Sequence, residues 1–186
     1  MMARMRAVLF LVAVLIAWVG SAHAGQDDAR LPALFDRLKA TKSAGEAEAV
    51  QQAIWAVWME SKNPEVNLLM LEGIDAMGQS ALKRALEAFD AMVKADPQFS
   101  EGWNKRATVE FLMGDFQGSV ADIQKTLALE PRHWGALSGL GQIYTALGDE
   151  EAAVRAFKRA LEINPHLAAT RLKVKELEEK LEKRKI

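Results

Sequence analysis

Residues 134–165 read WGALSGLGQIYTALGDEEAAVRAFKRALEINP, and the spacing inside this stretch decides the fold. Leu137, Leu140-Gly141 and Tyr144 belong to a first helix, Gly148-Asp149 marks a break, Ala153, Phe157 and Ala160 belong to a second helix, and Pro165 closes the unit. The same landmarks recur one period upstream: Pro131 stands 34 residues before Pro165, Gly114-Asp115 stands 34 before Gly148-Asp149, Trp103 stands 34 before Leu137, and Pro97 stands 34 before Pro131. A fixed period of this length is the signature of a repeat protein, in which each unit buries its apolar face only against its neighbours.

The pattern resembles the tetratricopeptide repeat (TPR) almost position for position in residues 134–165. The resemblance implies an all-α fold: a right-handed α-solenoid of three TPR helix pairs at 66–99, 100–133 and 134–167, preceded by an N-terminal helical hairpin at 25–63 and followed by a C-terminal capping helix at 168–186. Gly73, Ala107 and Gly141 are the small residues that let the two helices of a repeat approach. Ala85, Ser119 and Ala153 do the same from the second helix, while Trp103, Tyr144, Phe89, Ile123 and Phe157 fill the remaining gap as core residues. The first repeat departs most, with Ser80 where the turn glycine belongs and Ala76 where the tyrosine belongs. In the second repeat Arg106 and Glu110 stand where leucine and tyrosine belong. Four apart on one helix, they can pair with each other; the alternative is a buried polar group that fixes the register of a neighbouring helix or meets a ligand charge.

In this family the first helices of successive repeats line a concave groove. Carried over by position, the resemblance points to Asn67, Met70 and Ile74 from the first repeat, Asn104, Thr108 and Leu112 from the second, and Ser138, Gln142 and Thr145 from the third, with Lys105 at the groove edge. Such a mixed polar and apolar wall suits an extended peptide or a helix. One subfamily grips terminal carboxylates with asparagine and lysine at set positions; Thr108 and Ser138 occupy those positions here, so that clamp is missing.

The flanks are read from local signals. Arg4 and Arg6 precede an uncharged apolar run from Ala7 to Gly20 and a small-residue site at Ala22-His23-Ala24, which together read as a secretory signal peptide, residues 1–24, cut after Ala24. The run is shorter than the roughly 20 residues of a spanning helix. The chain is therefore expected in a bacterial periplasm or secreted, touching the membrane only transiently, with an uncleaved inner-membrane anchor as the alternative. Leu31, Leu34, Phe35 and Leu38 form a helical stripe, and Ser43 with Glu46 a capping box. Ala47, Val50, Ile54, Val57 and Trp58 form the next stripe, so this hairpin, a cap or a degenerate repeat, is expected to cover the exposed end of the solenoid. Trp55 and Trp58 mark either burial against the first repeat or an exposed contact. Asn63-Pro64 reads as a helix start. Asn164-Pro165 is read as the start of the last helix, whose stripe of Leu167, Thr170, Val174, Leu177 and Leu181 seals the third repeat.

The 186 residues carry a formal charge of -1, or about -3 once Arg4 and Arg6 are removed with the leader, which leaves no electrostatic footprint for nucleic acid. Cysteine is absent, excluding disulfides and thiol chemistry. His133 and His166 each follow a repeat-closing proline, at turns on the solenoid edge without a carboxylate pattern for a metal, and no nucleophile elbow, phosphate-cradling loop or His-Glu-x-x-His occurs. No metal, cofactor or catalytic residue is expected. Taken together these features predict a monomeric, non-catalytic adaptor that binds a protein or peptide partner, with a scaffold stacking end to end through its hairpin or last helix as the alternative and an uncharacterised hydrolase as a third.

Overall fold

The computed structural model describes residues 25–184, so the expected leader lies outside the described residues. Among the described residues a 3-10 turn at Gly25–Asp27 precedes nine α-helices, with no strands: α1 Leu31–Ala40, α2 Ala44–Trp58, α3 Pro64–Gly78, α4 Leu82–Ala95, α5 Ser100–Met113, α6 Phe116–Leu129, α7 Trp134–Ala146, α8 Glu150–Ile163 and α9 Ala168–Lys183. None is long and apolar enough to cross a membrane.

The repeat register follows from steric fit. A Cβ added at Gly73 would lie 2.2 Å from the Phe89 ring, and one at Gly141 would lie 2.5 Å from the Phe157 ring. Only glycine lets α3 approach α4, and α7 approach α8, with a phenylalanine between them. In the middle repeat Ala107 takes the glycine's place and the facing residue is the smaller Ile123, so volume is conserved across the pair. Ser119 Oγ donates to the Ala107 carbonyl at 2.7 Å and ties α6 to α5.

The breaks have separate causes. Gly114 and Gly148 end α5 and the α7 turn with φ of 82° and 78°, a left-handed conformation that glycine adopts without strain. Ser80 holds the same position in the first repeat with φ 56°, so the sequence departure is absorbed as backbone strain of about 1 kcal/mol. Asp115 and Asp149 cap α6 and α8 by accepting from Gly118 N and Ala152 N, each at 2.9 Å. Ser43 caps α2, accepting from Glu46 N at 3.3 Å, but only half of the expected capping box forms. The Glu46 carboxylate accepts from Thr41 Oγ1 and Arg37 Nε instead. The last helix begins at Ala168 and not at Asn164-Pro165, because Asn164 Oδ1 accepts from His166 N and holds Pro165-His166 in a turn.

The hairpin α1–α2 does not extend the stack. Its stripe of Leu31, Phe35, Leu38, Val50, Ile54 and Trp58 shares one core with Leu127, Trp134, Leu137, Ala160, Ile163 and Leu167. These residues sit where second helices end and first helices begin, so the hairpin lies along the turn edge of the solenoid. Polar ties fix it there: Gln51 Oε1 accepts from Asn164 Nδ2 at 2.9 Å, His166 Nε2 lies 3.0 Å from the Leu38 carbonyl, and Gln26 bonds the Gln98 carbonyl and Ser100. Trp55 and Trp58 are accordingly packed against Trp134 of the third repeat and His133 just before it, and not against the first repeat. The expectation that the hairpin covers the solenoid end fails for a physical reason: an apolar stripe demands burial but does not name its partner.

Candidate protein-interaction groove

The inner surface is built from α5, α7 and α9, with α2 along one border. Two adjoining hollows lie in it. The larger, about 390 Å³, is lined by Ser138, Gln142, Thr145, Ala146, Phe157, Ala169, Thr170 and Lys173. The smaller, about 130 Å³, is lined by Asn104, Thr108, Phe111, Gly135, Gly139, Gln142 and neighbours, and Gln142 borders both. Five of the expected groove residues, Asn104, Thr108, Ser138, Gln142 and Thr145, are thus brought together on one continuous surface.

Their hydrogen bonds separate structural from available groups. Thr108 Oγ1 donates back to the Asn104 carbonyl at 2.9 Å, and Thr145 Oγ1 donates to the Gly141 carbonyl at 2.8 Å, so both hydroxyl protons are committed within their own helices. Among the described residues, the side chains of Ser138 and Gln142 make no hydrogen bond. Ser138 is half-buried and Gln142 exposed, and together they offer two acceptors and three donors to a ligand.

The other expected positions are spent elsewhere. Met70 is 3% exposed and belongs to the core of the first repeat with Val66, Phe89 and Met92. Asn67 exchanges two hydrogen bonds with the backbone of Ser61 in the α2–α3 link. Ile74 is half-buried against the same core, and Leu112 is 53% exposed at the far end of α5. Lys105 Nζ lies 3.2 Å from Glu101 Oε1 and 5.9 Å from the centre of the Trp55 ring. The groove is therefore shorter than the family pattern implies, because the hairpin and its link occupy the border formed by the helix starts.

Two polar clusters that the sequence disguised lie beside the groove. The first is centred on His133, which is fully buried and stacked on Trp58 with ring centroids 4.3 Å apart. Its Nδ1 accepts from Ala136 N at 3.0 Å, capping α7, so Nε2 carries the proton and donates to Glu101 Oε2 at 2.8 Å. Asn104 donates to the same carboxylate at 3.1 Å. His133 thus stands at the turn before α7 but is buried, and the Glu101 carboxylate it meets comes from the preceding first helix, 32 residues away in sequence. Burial pushes the Glu101 carboxyl up, but the His133 hydrogen bond and the Lys105 charge outweigh it and hold its pKa below the ordinary value.

The second cluster is centred on Arg106. Its guanidinium donates twice to Asp122 on α6, at 2.6 and 2.8 Å, and once to Asp90 on α4, at 2.7 Å. Three successive helices are joined by one planar cation, the bidentate geometry that arginine favours. Glu110, expected as its partner, makes a longer ion pair with it, Oε1 standing 3.9 Å from Nε. Burial, then the Asp122 charge, push the Glu110 carboxyl up to about 7 against the pull of Arg106. The interhelical reading of Arg106 is the one the structure supports. No group of histidine and carboxylate side chains among the described residues is placed to hold a metal ion.

Comparison with known proteins agrees with this architecture. The family profile described as tetratricopeptide repeat matches residues 135–167. A TPR repeat-containing protein of Rhizobium etli is 35% identical over 152 residues, spanning 82% of this chain and 74% of that protein. Tetratricopeptide repeat protein 36 of Danio rerio is 28% identical over 56% of this chain and 58% of its own length. Among solved structures, the first TPR of Spaghetti (RPAP3) bound to an HSP90 peptide superposes with a TM-score of 0.60 at 22% identity, covering 63% of this chain and 93% of that one. The MamA protein superposes with a TM-score of 0.58 at 18% identity, covering 79% and 78%. At these identities the solved structures attest the fold alone, while the Rhizobium relative carries the relationship across most of both chains. This chain belongs to the tetratricopeptide-repeat family.

Proposed function

We propose that this protein is a non-catalytic adaptor that holds a peptide or helix of a partner protein on the surface of α5, α7 and α9. The observation that carries this reading is the pair of adjoining hollows joined at Gln142, with Ser138 and Gln142 unengaged and Phe157 as an apolar floor. Polar groups that fix orientation around an apolar base are what peptide recognition needs. Three structural neighbours, the two TPR domains of RPAP3 and one domain of yeast Sti1, were solved in complex with HSP90 or HSP70 peptides, which supports peptide binding as the use of such a surface. The leader at residues 1–24 supports work in the bacterial envelope, in the periplasm or after secretion. Mass determination of the protein from cells checks that part: a chain beginning at Gly25 agrees, and one retaining residue 1 points to a membrane-anchored form.

The groove is tested by photocrosslinking in cells from a photoreactive residue at Gln142, with Arg155 on the outer face as the control; the Arg155 side chain is 68% exposed. One discrete protein adduct from position 142 and none from 155 is the expected result. The reverse pattern overturns the groove as the binding surface.

A further inference from the structure

The three glycines of α7 stand in different surroundings. A Cβ at Gly135 would lie 2.7 Å from the Trp55 ring and one at Gly141 would lie 2.5 Å from the Phe157 ring, so packing requires both. A Cβ at Gly139 would meet, beyond its own helix backbone, only Ile123 Cδ1 at 3.6 Å, an ordinary contact. Glycine inside a helix weakens it, and among the described residues no neighbour demands one here. What the missing side chain leaves is space: the half-enclosed hollow of about 130 Å³ between α5 and α7, walled by Ile123, Ile143 and Phe111.

The polar atoms around this hollow are fixed as acceptors. Asn104, 8% exposed, donates from Nδ2 to Glu101 Oε2. His133 Nε2 and the Lys105 ammonium point at the same carboxylate, which only accepts, so the Asn104 amide cannot be turned round. Its Oδ1 accepts no hydrogen bond among the described residues and is the polar atom that Asn104 offers to the hollow. Thr108 and Ser119 have committed their hydroxyl protons to the carbonyls of Asn104 and Ala107 and keep lone pairs alone. Apolar walls with an oriented, nine-tenths-buried acceptor match a ligand group with an apolar body and a donor on it.

We infer that this hollow takes the phenol ring of a tyrosine in the bound partner segment, with the tyrosine O–H donating to Asn104 Oδ1. The inference rests on the groove reading and names the side chain that anchors there. An apolar cavity of about 150 Å³ admits a single benzene ring. A hollow of about 130 Å³ that is open on the groove side therefore suits one six-membered ring and not an indole. Phenylalanine would fill the space but bury Oδ1 without a partner. Serine and threonine carry the donor but leave the isoleucine walls uncovered. A lysine ammonium would leave water for a neutral oxygen beside Lys105, whose charge already sits on Glu101. Tyrosine alone among these meets both the walls and the acceptor.

Short peptides selected from a random display library on the protein, expressed from its full sequence, are the probe. Those that crosslink to a photoreactive residue at position 142 are expected to share a tyrosine. Replacing that tyrosine by phenylalanine should weaken binding about tenfold in fluorescence anisotropy. Asn104→Leu should bring the two peptide forms to equal affinity, a change of ratio that a general loss of structure does not produce. Gly139→Leu, which leaves the Glu101 hydrogen bonds intact and fills the hollow, should abolish binding of both. Peptides that crosslink to position 142 but share no tyrosine, or bind as well with phenylalanine in its place, overturn the tyrosine anchor and leave the groove standing. An Asn104→Leu variant that keeps the tenfold preference overturns the anchor too. A library that yields no peptide held at position 142 overturns the groove and the anchor together.

Discussion

Replacing Glu110 by glutamine asks whether the middle repeat carries a stored charge conflict. The carboxyl is 14% exposed, its Oε2 has no hydrogen-bond partner, and Asp122, Asp115 and Asp90 surround it. Its pKa moves from an ordinary 4.5 to about 7. A fully buried carboxyl shifted this far would lose about 3.4 kcal/mol of stability on ionising. Glu110 is still partly in contact with water, which screens its neighbours, and a loss of about 1 kcal/mol is expected. The sign follows from proton binding: the folded state holds the proton more tightly than the unfolded state, so the contribution of Glu110 is most favourable below pH 4.5 and declines as pH rises toward 7. Glutamine has nearly the same volume and no charge. Urea unfolding followed by helical circular dichroism should therefore find Glu110→Gln and wild type alike at acid pH, and the variant more stable by about 1 kcal/mol above neutrality. A variant that is less stable above neutrality would refute the reasoning, because it would mean that ionised Glu110 is held by Arg106 after all.

Gly141→Leu should lower the melting temperature strongly, by about 3 kcal/mol of stability, since its Cβ would lie 2.5 Å from the Phe157 ring; an unchanged melting temperature means the helix pair is wrongly placed. Ser80→Gly should raise stability by about 1 kcal/mol in denaturant titration, because φ 56° is left-handed; a loss on substitution would show that the serine hydroxyl is needed more than the backbone is strained. Glu101→Gln removes a carboxylate whose pKa is held down, so wild type should lose its advantage as pH falls below 4.5, and the two proteins should converge in acid unfolding. Parallel unfolding curves that keep their separation at every pH would rule out Glu101 as an ionised partner of His133.

What the sequence disclosed depends on how local the cause is. The 34-residue spacing, Gly73 and Gly141 were readable because each reports a contact inside one helix pair, and Gly114 and Gly148 because a turn needs one residue type at one position. The docking of α1–α2 was not, since its partners Leu127, Trp134 and Ile163 come from two repeats and each looks like an ordinary repeat residue. Arg106 stands out as a departure from the repeat, but its partners Asp90 and Asp122 lie 16 residues away on either side, beyond any pattern within one helix. For the groove, family position gathered Asn104, Thr108, Ser138, Gln142 and Thr145 on one surface. It misplaced Met70, which the core of the first repeat takes up with Val66, Phe89 and Met92, and Asn67, which bonds the Ser61 backbone in a link that belongs to this chain and not to the repeat. The pair of His133 with Glu101 had one faint signal, a histidine directly before a helix start, where its ring nitrogen could serve as a cap.

The hairpin also changes how the chain reaches its native state. A simple solenoid is assembled from contacts between near neighbours in sequence, so it can form from either end and fray from either end. Here Gln51 meets Asn164 and Leu38 meets His166, across separations of 113 and 128 residues. Helices α1 and α2 leave the ribosome well before the third repeat and cannot bury Phe35, Ile54 and Trp58 until it exists to receive them. An array that would otherwise be linear is closed into a loop, and its melting should be concerted where an open array would unravel.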